Sequence, residues 1–221
     1  MRHAEVSYFD GDGKPYRPHT VPLTLAGREQ AAAAARALAP VPLDRVVVSG
    51  LPRTLETAAI VVGERPLTPE VYPDLREIES GRLADIPEAD REAAIAGAFV
   101  HNLGRETRFL GGETFGSLLD RAVPAFHALC AQPGWRHLLV VAHGGVNRAL
   151  LLDALGAGVA SFGALEQDPA CINIVDVEDA GPGGAPPRTI VRLMNYTPYN
   201  EQKLGLELTT MEQLFRAYRP G

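Results

Sequence analysis

One pattern occurs twice in this chain and limits what it can fold into. "DRVVVSGLPRTLETAAIVV" begins at Asp44, and "RHLLVVAHGGVNRALLLDALG" begins at Arg136. Each opens with a short apolar run bounded by small turn residues, the signature of a buried strand. Each then turns sharply into a helical stretch. In the first, Leu55, Ala58, Ala59 and Val62 recur on one helical face. In the second, His143-Gly144-Gly145 makes the turn and Gly156 closes the helix. Strands that alternate with helices require a sheet covered on both faces. The expected fold class is therefore α/β, a three-layer sandwich with a mainly parallel central sheet flanked by helices.

The remaining elements fit around that pair. "TLAGREQAAAAARALA" reads as a helix capped by Thr24 and stopped by Pro40, with Leu25, Ala32 and Leu38 as its buried stripe. "ADREAAIAGAFVHNL" and "SLLDRAVPAFHALCA" are also expected to be helical, the second interrupted or kinked at Pro124. "CINIVDV" and "TIVRLMNY" read as strands on either side of a glycine- and proline-rich loop, "EDAGPGGAPP". A short helix is expected around Met211 to Tyr218. The 221 residues suit one domain, 1–221, with a helical insertion around 84–111 and a tail at 195–221. The aromatic tail (Tyr196, Tyr199, Leu214, Phe215, Tyr218) reads as cover for the core, with a homodimer interface as the alternative.

Composition removes several function classes. The formal net charge is -6 and the pI about 5.5, so no global field favours nucleic acid or an anionic membrane. Cys130 and Cys171 lie far apart without metal or redox spacing. No apolar run qualifies as a membrane span and the start does not read as a signal peptide. A cytoplasmic location is expected. No HExxH or clustered carboxylates suggest a metal, no G-x-S-x-G suggests an esterase, and "GPGGAP" lacks dinucleotide-binding spacing.

Ligands of open α/β sheets bind beyond the carboxyl ends of the strands. Arg53 follows the first strand there, and His143 the second. Both stand where a helix begins, and free N–H groups at a helix start favour an anion. Arg53 alone would read as a solvated helix residue, and Arg2-His3 as part of a loose terminus. Taken together they supply converging donors of the kind a phosphoryl group needs.

Six motifs then stand in order: "RHAE", "LTLAGREQA", "SGLPRTLETA", "DLREIESG", "GGET" and "VVAHGG". In that order and spacing the chain resembles the histidine phosphatase superfamily, or phosphoglycerate-mutase-like family, from Arg2 to about Leu155. The resemblance implies that His3 is the nucleophile that becomes phosphorylated. It implies Arg2 and Arg53 as ligands of the phosphoryl oxygens, His143 as a catalytic and phosphate-binding partner, and Glu77 as proton donor. Glu5 and Glu79 read as exposed glutamates. The implied activity is a histidine acid phosphatase-like phosphomonoesterase that hydrolyses a small phosphorylated metabolite through a phosphohistidine. It needs neither cofactor nor metal. A phosphoglycerate-mutase-type phosphotransferase and a non-catalytic phospholigand-binding protein are the alternatives. The polar loop after His3 offers Tyr8, Arg17 and His19 as candidate substrate contacts. Three departures from the family pattern stand out: Ala4 replaces a glycine, Phe9 replaces an asparagine, and a lone Met1 stands where relatives carry an apolar strand.

Overall fold

The computed structural model describes residues 1–9, 16–99, 103–178 and 188–218. The glycine- and proline-rich loop thus lies, beyond Glu178, outside the described residues, as do the centre of the polar loop after Phe9 and residues 100–102.

The sheet starts from β1 (Arg45–Val48). It pairs in parallel with β2 (Glu70–Val71) on one side and with β3 (Leu138–Val141) on the other. The β1–β3 register runs from Arg45 opposite Leu138 to Val48 opposite Val141. The first residues of the chain then add themselves to the free edge of β3. Ala142 N–H donates to the Met1 carbonyl at 2.9 Å, and His3 N–H to the Ala142 carbonyl at 2.9 Å. On the far side, Arg2 N–H donates to Cys171 and Ala170 N–H donates back to His3. Met1 to His3 thus takes the place in the sheet where an apolar strand was expected.

β4 (Ile172–Val177) and β5 (Thr189–Tyr196) form a separate antiparallel ladder rather than further parallel strands. The parallel part of the sheet is the part that carries the site.

Strand side chains alternate between faces, and β1 shows the consequence. Val46 and Val48 face a core made by α1 (Leu25–Ala37) and α2 (Pro52–Val62), with Ala31, Ala34, Ala58 and Val61. Val47 faces the opposite core, made by α4 (Phe115–Cys130) and α5 (Gly144–Ala154), with Phe115, Leu118, Val146 and Leu152. The outcome is helices on both faces of a parallel sheet.

Two local expectations need correction. In α1 the buried stripe is Gly27, Ala31, Ala33 and Ala34, and Leu25 is 82% exposed. The reason is Gly27, which lies against the Glu5 backbone so closely that a Cβ there would overlap the Glu5 carbonyl. In α2 the buried face is Arg53, Thr54, Thr57, Ala58, Val61 and Val62, while Leu55 and Ala59 point outward. Polar residues occupy the first turn of that face because it borders the site. α4 runs through Pro124 as one element.

Within 84–111 the helical content is smaller than expected. α3 (Arg91–Ala96) and single turns at 83–85, 88–90 and 109–111 replace a long helix. α6 (Thr210–Ala217) forms as expected, with Thr209 and Glu212 in a capping box. No helix among the described residues is long and apolar enough to cross a membrane.

Candidate active site

Because the 1–3 segment, β1 and β3 run side by side in one direction, their ends deliver His3, Ser49 and His143 to one edge of the sheet. Past Ser49 the chain reverses at Gly50, whose φ of +88° only glycine holds without strain, so that Pro52 begins α2 and Arg53 stands in its first turn. His143 is the N-cap of α5. His3 and His143 are 2% and 0% exposed, with ring centroids 5.2 Å apart at an interplanar angle of 63°.

The hydrogen bonds fix how His3 is presented. Its Nδ1 lies 2.8 Å from the Ala4 carbonyl, which can only accept, so the ring proton sits on Nδ1. The Nε2 lone pair therefore faces the site and accepts from Arg53 Nε–H at 3.2 Å. Burial, and then the Arg53 and Arg2 charges, hold the His3 imidazole well below its ordinary pKa of 6.5, against a smaller upward pull from Ala4. His143 is lowered in the same way, by burial first and then by His3, Arg53, Arg2 and Arg121. Its Nε2 lies 2.8 Å from Ser49 Oγ.

Among the described residues, four buried side-chain nitrogens have no hydrogen-bond partner in the protein: Arg2 Nε, His143 Nδ1, Arg148 Nε and Trp135 Nε1. Arg2 Nε and the His143 ring border Gly144, and Arg148 reaches it through Nη1. A Cβ there would stand 3.2 Å from Arg148 Nη1 and 3.6 Å from Arg2 Nε. Buried polar groups are nearly always paired, so the unpaired Arg2 and His143 nitrogens at one helix start make it a candidate anion site. Glu77 completes the ring from the far side. Gly145 N–H donates to its Oε1 at 3.0 Å and its Oε2 at 3.2 Å, and Ile78 N–H to its Oε1 at 3.0 Å.

The structure thus brings Arg2, His3, Arg53, Glu77 and His143 together. Tyr8 sits at the rim, its ring 5.9 Å from the Arg53 guanidinium. Arg17 and His19 are exposed around the 18–20 turn, and no hydrogen bond or ion pair among the described residues links either to the imidazoles. Phe9 is buried, its ring 5.6 Å from Tyr218.

Sequence reasoning missed Ser49, Arg148 and Arg121. Arg148 is 3% exposed, bonded to Glu166 at 2.8 Å and stacked over Phe99. Its position on α5 one turn after Gly144 was the available signal, since residues four apart share a helix face. Among the described residues, no group of three or more His, Cys, Asp or Glu side chains is arranged to hold a metal ion.

Residues 1–184 match the family model of the histidine phosphatase superfamily (branch 1). The chain belongs to the histidine phosphatase superfamily.

Within that superfamily it is 33% identical over 175 residues to the glucosyl-3-phosphoglycerate phosphatase of Mycolicibacterium vanbaalenii, covering 75% of this chain and 76% of the relative. It is 30% identical over 178 residues to a probable 2-carboxy-D-arabinitol-1-phosphatase of Arabidopsis thaliana. That match covers 80% of this chain but 36% of the plant protein, so the chain spans about a third of that relative. Among solved structures, a mycobacterial glucosyl-3-phosphoglycerate phosphatase in complex with inorganic phosphate superposes with a TM-score of 0.70 at 25% identity, covering 89% of this chain and 95% of that one. These relatives are phosphatases. The acid phosphatase-like type expected from the sequence gives way to membership of branch 1.

Proposed function

We propose that this histidine phosphatase hydrolyses a small phosphomonoester through a phosphohistidine on His3. The observation that carries the reading is the His3 tautomer. A buried imidazole, kept neutral with its proton on Nδ1, presents an unprotonated Nε2 beside the guanidinium that would hold the phosphoryl group, as a nucleophile requires.

In the first step His3 Nε2 forms a bond to phosphorus as the ester P–O bond breaks. Arg2, Arg53 and the His143 ring take up charge on the equatorial oxygens. His143 does this best with a proton on Nδ1. Ser49 Oγ, 2.8 Å from His143 Nε2, supports that form when it donates its proton to that nitrogen. The departing alkoxide takes a proton from Glu77. In the second step Glu77, now a carboxylate, removes a proton from water. The oxygen of that water attacks phosphorus, the N–P bond breaks, and inorganic phosphate leaves.

Rapid acid-free quenching with a ³²P-labelled substrate tests this. The wild type is expected to carry an acid-labile, base-stable label, and His3→Ala to lose both label and turnover with its fold intact. Near-normal rates in His3→Ala would refute the mechanism. Release of inorganic phosphate, rather than an isomerised ester, separates hydrolysis from mutase-type transfer. The phosphatase names of the relatives favour hydrolysis.

A further inference from the structure

Glu77 has no regular element beneath it, since it lies between the 73–75 turn and an irregular stretch. One guanidinium nevertheless holds the backbone on both sides of it. Arg121, on α4, donates from Nη1 to the Asp74 and Arg76 carbonyls at 2.7 Å each, and from Nη2 to the Glu77 carbonyl at 3.2 Å. Glu113 fixes the guanidinium as a fork, with Nε to Oε1 at 2.8 Å and Nη2 to Oε2 at 2.9 Å. Glu113 Oε2 also accepts from Glu79 N–H at 3.1 Å, and Glu113 N–H donates to the Glu79 carbonyl at 2.8 Å. Burial pushes the Glu113 carboxyl up, but Arg121 and the Glu79 N–H outweigh it and hold it below its usual range. The pair is charged at neutral pH.

We propose that Arg121, locked by Glu113, is a positioning residue that sets where Glu77 presents its carboxyl to the leaving group. The role rests on Glu77 being the proton donor of the proposed phosphatase. The carboxyl end of Glu77 is seated on the Gly145 N–H, and a Cβ on Gly145 would come within 2.5 Å of Glu77 Oε1. The residue is therefore held at both ends, with little room to slide at either. Lysine cannot replace Arg121, because a single ammonium cannot meet a carboxylate fork and three carbonyls at once.

The test compares the wild type, Arg121→Met and Arg121→Lys on glycerol 2-phosphate, whose alkoxide needs a proton, and on p-nitrophenyl phosphate, whose leaving group does not. For both variants kcat/KM, which runs only to phosphohistidine formation and so excludes the water-activating step common to both esters, is expected to fall roughly 10- to 100-fold more on the alkyl ester than on the aryl ester. Inhibition by inorganic phosphate should stay within about twofold for Arg121→Lys, which keeps the charge that reaches His143 and replaces no side chain of the imidazole–arginine pocket. Equal losses on both esters, or an unchanged ratio in a folded variant, would overturn the positioning role while leaving the phosphatase reading in place. A wild type that turns over neither ester, nor any of a panel of phosphorylated metabolites, would overturn the phosphatase reading and the positioning role with it. Should Arg121→Met fail to fold by circular dichroism, Glu113→Gln serves instead. It keeps a neutral acceptor and is expected to shift the same ratio in the same direction by about twofold to tenfold. No shift there overturns the proposal equally.

Discussion

At His3 the chemistry is decided by neighbours that add no function of their own. The Ala4 carbonyl fixes the ring proton, and Thr57 holds Ala4 N–H at 3.0 Å, so the residue that replaces the family's glycine is wholly buried and tied to α2. Burial is the larger cause of the lowered His3 pKa and Arg53 the next. Removing the charge alone should move the pKa partway back. Arg53→Met is therefore expected to raise the His3 titration toward, but not to, 6.5, read by ¹⁵N NMR of the imidazole in the phosphate-free protein. An unmoved titration would show that the guanidinium does not act on this ring. That His3, Arg2, Arg53, His143 and Glu77 would meet could be expected from the sequence because their motifs stand in order around two strand ends. Ser49 could not. A serine closing "VVVS" looks like any strand end until the register of β1 and β3 places it beside His143.

The elements were legible in kind and less so in orientation. Helix propensity identified α1, α2, α4, α5 and α6, but apolar periodicity chose the wrong face for α1 and α2. In both, the inner face is set by close backbone approach or by the polar edge of the site, which hydrophobicity does not encode. The strand pairing of β4 with β5 was equally hidden, since each strand read alone fits either sheet. Gly27 is the decisive case. In an isolated helix alanine is better than glycine by about 1 kcal/mol. Here the added methyl would meet the Glu5 carbonyl, two residues beyond His3, and overpacking of this kind costs about 1–3 kcal/mol. The rigid partner is backbone, so the clash should win. Gly27→Ala is expected to lower the midpoint of urea unfolding, and a higher midpoint would show that α1 moves away freely.

Across the whole molecule, a formal net charge of -6 surrounds a site whose buried side chains are cationic or kept neutral. That contrast makes stability depend on pH in two stages. Unfolded, His3 and His143 each titrate near 6.5. Folded, burial and the neighbouring guanidiniums keep both well below that. Below pH 6.5 the unfolded chain thus binds more protons than the folded one. The stability present above pH 6.5 is lost as pH falls toward the folded values, by at most about 1.4 kcal/mol per pH unit for each ring. The second stage belongs to carboxylates with depressed pKa. Glu113, tied to Arg121, and Glu166, tied to Arg148, are both held below 4.5 against the upward push of burial. Their contribution is complete above about pH 4.5 and disappears below it. Urea unfolding should accordingly show stability lost from about pH 8, where burial holds the Met1 amine down to about 6, declining further from 6.5 as the imidazoles contribute, and falling more steeply below 4.5. In the His3→Asn, His143→Asn double variant the decline between pH 6 and 5 should vanish, while the loss due to the Met1 amine above pH 6 and the decline below 4.5 remain. If a folded double variant still loses the same stability between pH 6.5 and 5, the imidazoles are not buried as neutral rings and the nucleophile is not prepared in the way its geometry indicates.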